Sequence, residues 1–293
     1  MMMGRRLLVL LFASLLVLPV LAQQTIEGRI REYGPAVRAR LQPFFDQASI
    51  AYPPSKVALV AFKDQKKLQL YAPNAMHKAT FIREYPILAA SGEQGPKLRE
   101  GDMQVPEGVY HLMSLNPNSQ YHLSLGLNYP NKFDRDMAKA DGRTSPGGAI
   151  MIHGKDVSAG CLAMGDEAAE DLFVLASDTG IGNVTVVISP VDFRTTTFTL
   201  PALSWSEKLY SGLRRVLRQY PLPQAAGTAA AATPPPPPAP VTPAPAPHQH
   251  HKRWVLLAFI IVLAALAIFV MVSNQANARL RQIRAARRKK MLS

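Results

Sequence analysis

Cysteine is almost absent from this chain. Its 293 residues contain one, Cys161, so no internal disulfide can form and no thiolate-rich zinc site can be built. Acidic residues are missing from three basic flanks. Arg5 and Arg6 precede the first apolar run, and Lys252 and Arg253 precede the last. Arg279, Arg281, Arg284, Arg287, Arg288, Lys289 and Lys290 follow it. Setting those 11 cations aside from the 33 leaves 22 against 20 acids, so the net charge of +13 falls to about +2 for the rest of the chain. The excess charge serves membrane topology, and nucleic-acid binding is not expected. The length allows one or two domains with a real core.

Long apolar runs are confined to the two ends. Leu7 to Ala22 follows a short basic start and closes on Val20-Leu21-Ala22, so residues 1–22 read as a secretory signal peptide. An uncleaved anchor is the alternative, because the run is near the lower length limit for a span. Trp254 to Ser273 is uncharged and long enough to cross a bilayer, so 254–273 reads as a transmembrane helix. The basic tail 274–293 then places the C-terminus in the cytoplasm. Residues 221–253 are an Ala/Pro-rich linker with Ala229 to Ala232 and Pro234 to Pro238. Extended as polyproline II, roughly thirty residues reach on the order of 90 Å. His248, His250 and His251 lie on that arm without fixed geometry, so no metal site is expected there.

The middle of the chain holds the folded unit. Residues 23–54 form an N-terminal helical segment, with Ile30, Tyr33, Val37, Leu41, Phe44 and Phe45 at helical spacing between Ile30 and Ile50. A strand over 56–63, a turn at Asp64-Gln65 and an alternating strand over 67–71 follow. Further strands are expected over 81–90, 108–113, 121–125, 148–152 and 184–188. A helix over 166–176 would be capped by Asp166 and ended by Gly180. Ser204 and Glu207 are spaced as a capping box for a second helix, in a C-terminal helical extension over 191–220. Many strands with few helices predict a mainly β (α+β) domain with peripheral helices.

The chemistry concentrates in one short stretch. His153 follows the 148–152 strand and precedes Gly154, while Cys161 closes Ser158-Ala159-Gly160-Cys161. A lone thiol in an exported chain, with histidine close by and glycines around it, reads as a nucleophile with its base. His153 would take the thiol proton and later protonate a leaving amine. Amides near the following helix would depress the thiol pKa. Gly160 would let backbone N–H groups approach an oxyanion. Taken singly, Cys161 also fits a buried small hydrophobe and His153 a core histidine. One Cys and one His supply half a structural zinc shell, so neither a metal nor a cofactor is expected.

These residues resemble the YkuD-type L,D-transpeptidase motif, in which His-Gly precedes Ser-x-Gly-Cys. Val105-Pro106-Glu107-Gly108-Val109-Tyr110 is similar to the family's strand opening. Gly95-Pro96-Lys97, Glu100-Gly101-Asp102, Asn116 to Ser119, Leu127 to Asn131 and Cys161 to Met164 resemble its YafK-like branch. Many members carry His where Ala159 stands and Arg or Asn where Ala163 stands. The resemblance implies a catalytic domain over 55–190 with a YkuD-like β-sandwich, and a peptidoglycan stem peptide as substrate. Cys161 would attack the carbonyl of the third residue, expel the terminal D-alanine, and pass the acyl group to an amine. Hydrolysis at the same thiol, cutting cross-links or releasing a wall-attached lipoprotein, is the second reading, and a non-catalytic wall-binding module is the third. With the end segments added, the resemblance implies a bacterial inner-membrane protein with one span and its catalytic domain in the periplasm.

Four more residues are candidates for substrate contact. His122 either lines the cleft, as the resemblance suggests, or is a structural strand histidine. Lys97, Arg143 and Lys155 either face stem-peptide carboxylates or are solvated cations. Ser158 holds the nucleophile loop, holds the His153 tautomer, or simply makes a turn.

Overall fold

The computed structural model describes residues 23–223. The signal segment 1–22, the linker beyond its first three residues, the span 254–273 and the tail 274–293 lie outside the described residues. Among the described residues no helix is long and apolar enough to cross a membrane.

Helix α1 (Ile26–Gln47) starts where Thr25 accepts a hydrogen bond from the Gly28 amide at 3.0 Å. It buries Gly34, Val37, Leu41 and Phe45. Pro35 and Pro43 fall inside it but on the exposed side, where water can reach the carbonyls they leave unbonded. The helix ends three residues short of the expected Ile50, because Ser49 turns to φ +54°.

Nine strands follow in one mixed sheet: β1 (Val57–Phe62), β2 (Lys67–Pro73), β3 (Ala79–Pro86), β4 (Ala89–Ala90), β5 (Gly108–Ser119), β6 (His122–Leu127), β7 (Met151–His153), β8 (Leu162–Ala163) and β9 (Val184–Ser189). Their order is β3-β2-β1-β9-β5-β6-β7-β8-β4. The β1–β9 and β7–β8 pairs are parallel and the others antiparallel. β5 joins the two halves. Gly108 to His111 pair with β9, and from Leu112 onward the strand pairs with β6 across two register shifts.

The expected strand over 81–90 is split. Proline at 86 has no N–H to give the ladder. Beyond it the Ile87 amide still bonds Lys66 O at 2.7 Å, whereas the Leu88 amide bonds Ala163 O at 2.8 Å. β3 and β4 are the two ends of the strand order, so a sheet joined across Ile87–Leu88 must curl until its edges approach.

Both faces of β1 are covered, which explains its unbroken apolar sequence. Leu59 and Ala61 join the main core, with residues of both sheet halves, α1, and helix α3 (Asp166–Thr179). Ala58, Val60 and Phe62 pack in a second cluster with helix α4 (Ser206–Leu217). The expected caps differ at both helices. Gly165, at φ +79°, precedes α3, and Asp166 is its first helical residue. Trp205 precedes α4 without a side-chain cap, and its indole N–H donates to Asp141 at 2.9 Å. Helix α2 (Lys132–Ala140) does carry a capping box, between Asn131 and Asp134. The chain leaves the domain through a clasp: Arg194 donates to the carbonyls of Tyr220 and Pro221 at 3.0 and 3.1 Å, and the Tyr71 hydroxyl donates to Pro221 O at 2.8 Å.

The result is a sheet-dominated α+β domain, in agreement with the fold class expected from the strand count.

Candidate active site

β7 and β8 bring the two central residues together. Their parallel register pairs Ile152 with Leu162 and His153 with Ala163. Ile152 and Leu162 are fully buried. Cys161 precedes β8 by one residue, and strand alternation puts it on the His153 face of the sheet. Cys161 is two residues before Ala163, the register partner of His153. His153 lies in β7, as its last residue, where the sequence suggested the position just after a strand.

His153 is 3% exposed. Its Nδ1 lies 2.6 Å from Gly154 O, a carbonyl that can only accept, so Nδ1 carries the proton and Nε2 holds a free lone pair. The Tyr121 ring packs against the imidazole at 4.6 Å between centroids, tilted by 33°. Burial lowers the pKa of the ring, and the Gly154 carbonyl opposes this more weakly. His153 is therefore a neutral base at neutral pH.

The thiol is partly exposed and donates to Ala149 O at 3.7 Å. Burial pushes its pKa up, against the Met151 amide and the Lys97 charge, which pull it down. This corrects the expectation of a depressed thiol. β8 lies between Cys161 and α3, so the helix start is not adjacent to the sulfur in the chain.

The loop before the nucleophile is built from residues far apart in sequence. Ser158 donates to Cys161 O at 2.7 Å and accepts from the Ser91 amide at 3.1 Å. Ser91 donates to Met103 O at 2.7 Å and accepts the Gly160 amide at 2.6 Å. Ser158 thus holds the loop, while the tautomer of His153 is fixed by Gly154. The Gly160 amide itself is occupied by Ser91 and is not a free oxyanion donor. Glycine is required at 160 for another reason: φ is +110°, and a Cβ there would stand 3.2 Å from Gln104 O.

Gly154 is also a matter of space. A Cβ would meet Asp166 Oδ1 at 2.6 Å, Tyr121 O at 2.8 Å and His122 Cβ at 3.0 Å. Asp166, expected as a cap, instead pins the next residue of this loop, accepting from the Lys155 amide at 2.9 Å and from its Nζ at 2.8 Å.

The remaining candidates are engaged elsewhere. His122 is 2.9 Å from Glu170 and edge-on to Tyr33, which favours its structural reading. Lys97 is buried and paired with Asp102 at 2.5 Å, so it is not a solvated surface cation. Asp102 in turn accepts from the amides of Leu98, Arg99 and Gln104, fixing the 97–104 loop. Arg143 bonds Asp141 and Leu98 O and lines a cavity of about 650 Å³ with Gly147 and Gly148, the latter directly before Ala149. Among the described residues no cluster of metal-ligating side chains occurs.

Sequence reasoning missed Ser91, Tyr121 and the buried Lys63–Glu107 pair. Lys63 spends its three donors on Gly95 O, Val105 O and Glu107, each at 2.9 Å. Glu107 also accepts from the Tyr210 hydroxyl on α4 at 2.7 Å. The pair lies at the end of β1 and holds the 95–107 segment that leads to Lys97. Glu107 lay within the Val105 to Tyr110 motif, and that was its only signal.

A histidine with a fixed tautomer and a partly exposed thiol thus lie on neighbouring strands of the sheet. Comparison with known proteins gives the class. The family described as YkuD, L,D-transpeptidase catalytic domain, matches residues 55–188, and this stretch is a domain of that family. YafK of Escherichia coli K12, a protein assigned to the L,D-transpeptidases, is 34% identical over 145 residues, covering 48% of this chain and 56% of YafK. The chain thus spans about half the length of the curated relatives it matches. Among solved structures, the helical cell shape determining protein Pgp2 of Campylobacter jejuni is 26% identical with a TM-score of 0.38, covering 46% of this chain and 48% of that one. Bd1075 of Bdellovibrio bacteriovorus is 23% identical with a TM-score of 0.35, covering 57% of each chain. Overlap at that level adds nothing to the family match, on which the assignment rests.

Proposed function

We propose that this protein is a peptidoglycan L,D-transpeptidase with Cys161 as nucleophile and His153 as general base and acid. The observation that carries the reading is the oriented, neutral His153 on the same sheet face as the one thiol of the chain, within a domain of that family. Cys161 Sγ attacks the carbonyl carbon of the third stem-peptide residue, and His153 Nε2 takes the thiol proton. The C–S bond forms, the C–N bond breaks, and His153 returns the proton to the departing D-alanine amine. An acceptor amine then attacks the thioester, gives its proton to His153, and the thiol is restored. The raised thiol pKa and lowered histidine pKa favour a neutral resting pair, so proton transfer accompanies attack.

The end segments support a periplasmic domain tethered to the inner membrane, with the C-terminus in the cytoplasm. A reporter fused after Ser293 should behave as cytoplasmic, and periplasmic behaviour would overturn that orientation.

The full chain in detergent, incubated with tetrapeptide muropeptides and an amine acceptor, should yield new amide-linked product and free D-alanine. Cys161→Ala should abolish both. Shortened or released peptide without acceptor incorporation would shift the reading to hydrolysis. Identical products from wild type and variant would refute both forms of catalysis.

A further inference from the structure

A second cavity, of about 760 Å³, opens at the end of the sheet where β1, β3 and β9 begin and β2 finishes. The Lys63–Glu107 pair belongs to the opposite end of β1, and no candidate site residue lines the cavity, so it is separate from the site described above. Lys56, His77, Lys78 and Arg218 stand around it, and no carboxylate lines it. Among the described residues none of these four forms an ion pair, although most other cations of the domain core do. Its apolar wall includes the Tyr71 and Tyr220 rings, 5.1 Å apart.

Two further features identify the occupant. Met76, in the same turn as His77, is 68% exposed, and Leu222, next to the Pro221 that lines the cavity, is 46% exposed. Cations ringed with exposed apolar side chains suit a bilayer surface: the charges meet anionic headgroups while the apolar tips enter the interface. The chain also leaves the domain here, through Pro221 to Pro223, toward the segment read from sequence as a span. We infer that this face is a docking site for anionic phospholipid, with a headgroup phosphate held among Lys56, Lys78 and Arg218. Docking holds the domain at the membrane, and release lets the linker carry it outward. The inference rests on the membrane tether proposed above.

The test is lysine acylation footprinting of the full chain in nanodiscs. One set is pure phosphatidylcholine and the other contains phosphatidylglycerol at a third of the lipid. Lys56 and Lys78 should label several-fold more slowly in the anionic discs, with the 83%-exposed Lys132 as unchanged control. High salt should erase the difference. Each cation near an anionic surface strengthens attraction roughly fivefold, so Arg218→Gln, which leaves both reporter lysines in place, should weaken the protection of Lys56 and Lys78 by about that factor. Equal labelling in both disc types, for a chain that has entered them, overturns the docking site alone. A chain that does not enter the discs overturns the tether and the docking site together. Protection by soluble wall fragments, with none from anionic lipid, would assign the cavity to the wall and overturn the lipid reading.

Discussion

Burial moves the two reacting groups apart on the pH scale. His153 loses protons more readily than an ordinary histidine, and the Cys161 thiol holds its proton more tightly than an ordinary cysteine. The folded state therefore favours neutral imidazole. That contribution to stability is fully present above the ordinary histidine value of 6.5 and is lost as pH falls through the lower folded value. In activity, the acid limb of kcat/KM should lie below pH 6.5 and the alkaline limb above 9.0. A pH–rate profile with an acid limb above 6.5 would contradict the neutral-pair mechanism. At this scale the sequence was informative where chemistry is local. His153 and Cys161 are eight residues apart with glycines beside them, so both stood out as candidates from the sequence. The bond from the Gly160 amide to Ser91 was not legible, because that serine is 69 residues away and nothing in the sequence marks it.

Elements decide how firmly the loop is held. Gly154 sits where β7 ends, with Asp166 of α3 and the Tyr121 carbonyl closing on its α-carbon. Gly154→Ala forces that contact open and should cost about 1–3 kcal/mol, in line with overpacking at a tight site. It should also displace His153, whose Nδ1 depends on the Gly154 carbonyl. Thermal unfolding together with the kcat/KM profile would check this, and unchanged values in both would show that the loop tolerates the shift. The strands with strong apolar or alternating patterns, β1, β2 and β9, were legible in sequence. The short ones were not. β4 and β8 are two residues each, set by pairing with each other across 73 residues of chain rather than by their own composition. α4 was legible as a helix, yet its expected Ser204–Glu207 box is not formed, because the chain enters at Trp205 and the indole is claimed by Asp141.

The whole domain is held by a few buried polar connections between its layers. Asp171 on α3 is fully buried and accepts from Arg40 of α1 and from Arg83 and Tyr85 of β3. Glu107 links β1, β5 and α4 in the same way. Tyr210→Phe leaves one Glu107 oxygen without its donor, at about 1–3 kcal/mol. For a domain of this size that is roughly a 2–4 °C fall in Tm per kcal/mol, readable by calorimetry. A Tm within 1 °C of wild type, roughly the noise on that scale, would mean water replaces the hydroxyl. The family was thus readable from one end of the sheet, whereas the cohesion of the layers rests on contacts such as Arg40–Asp171, between residues 131 positions apart.

The exit clasp has a mechanical consequence. Arg194 and Tyr71 grip the carbonyls of Tyr220 and Pro221, close to the end of the described residues. Under the proposed tether, tension on the chain would be borne first by these bonds and by β2, which carries Tyr71. A pull applied there would load that end of the sheet and leave the loop of Ser158 to Cys161 unloaded.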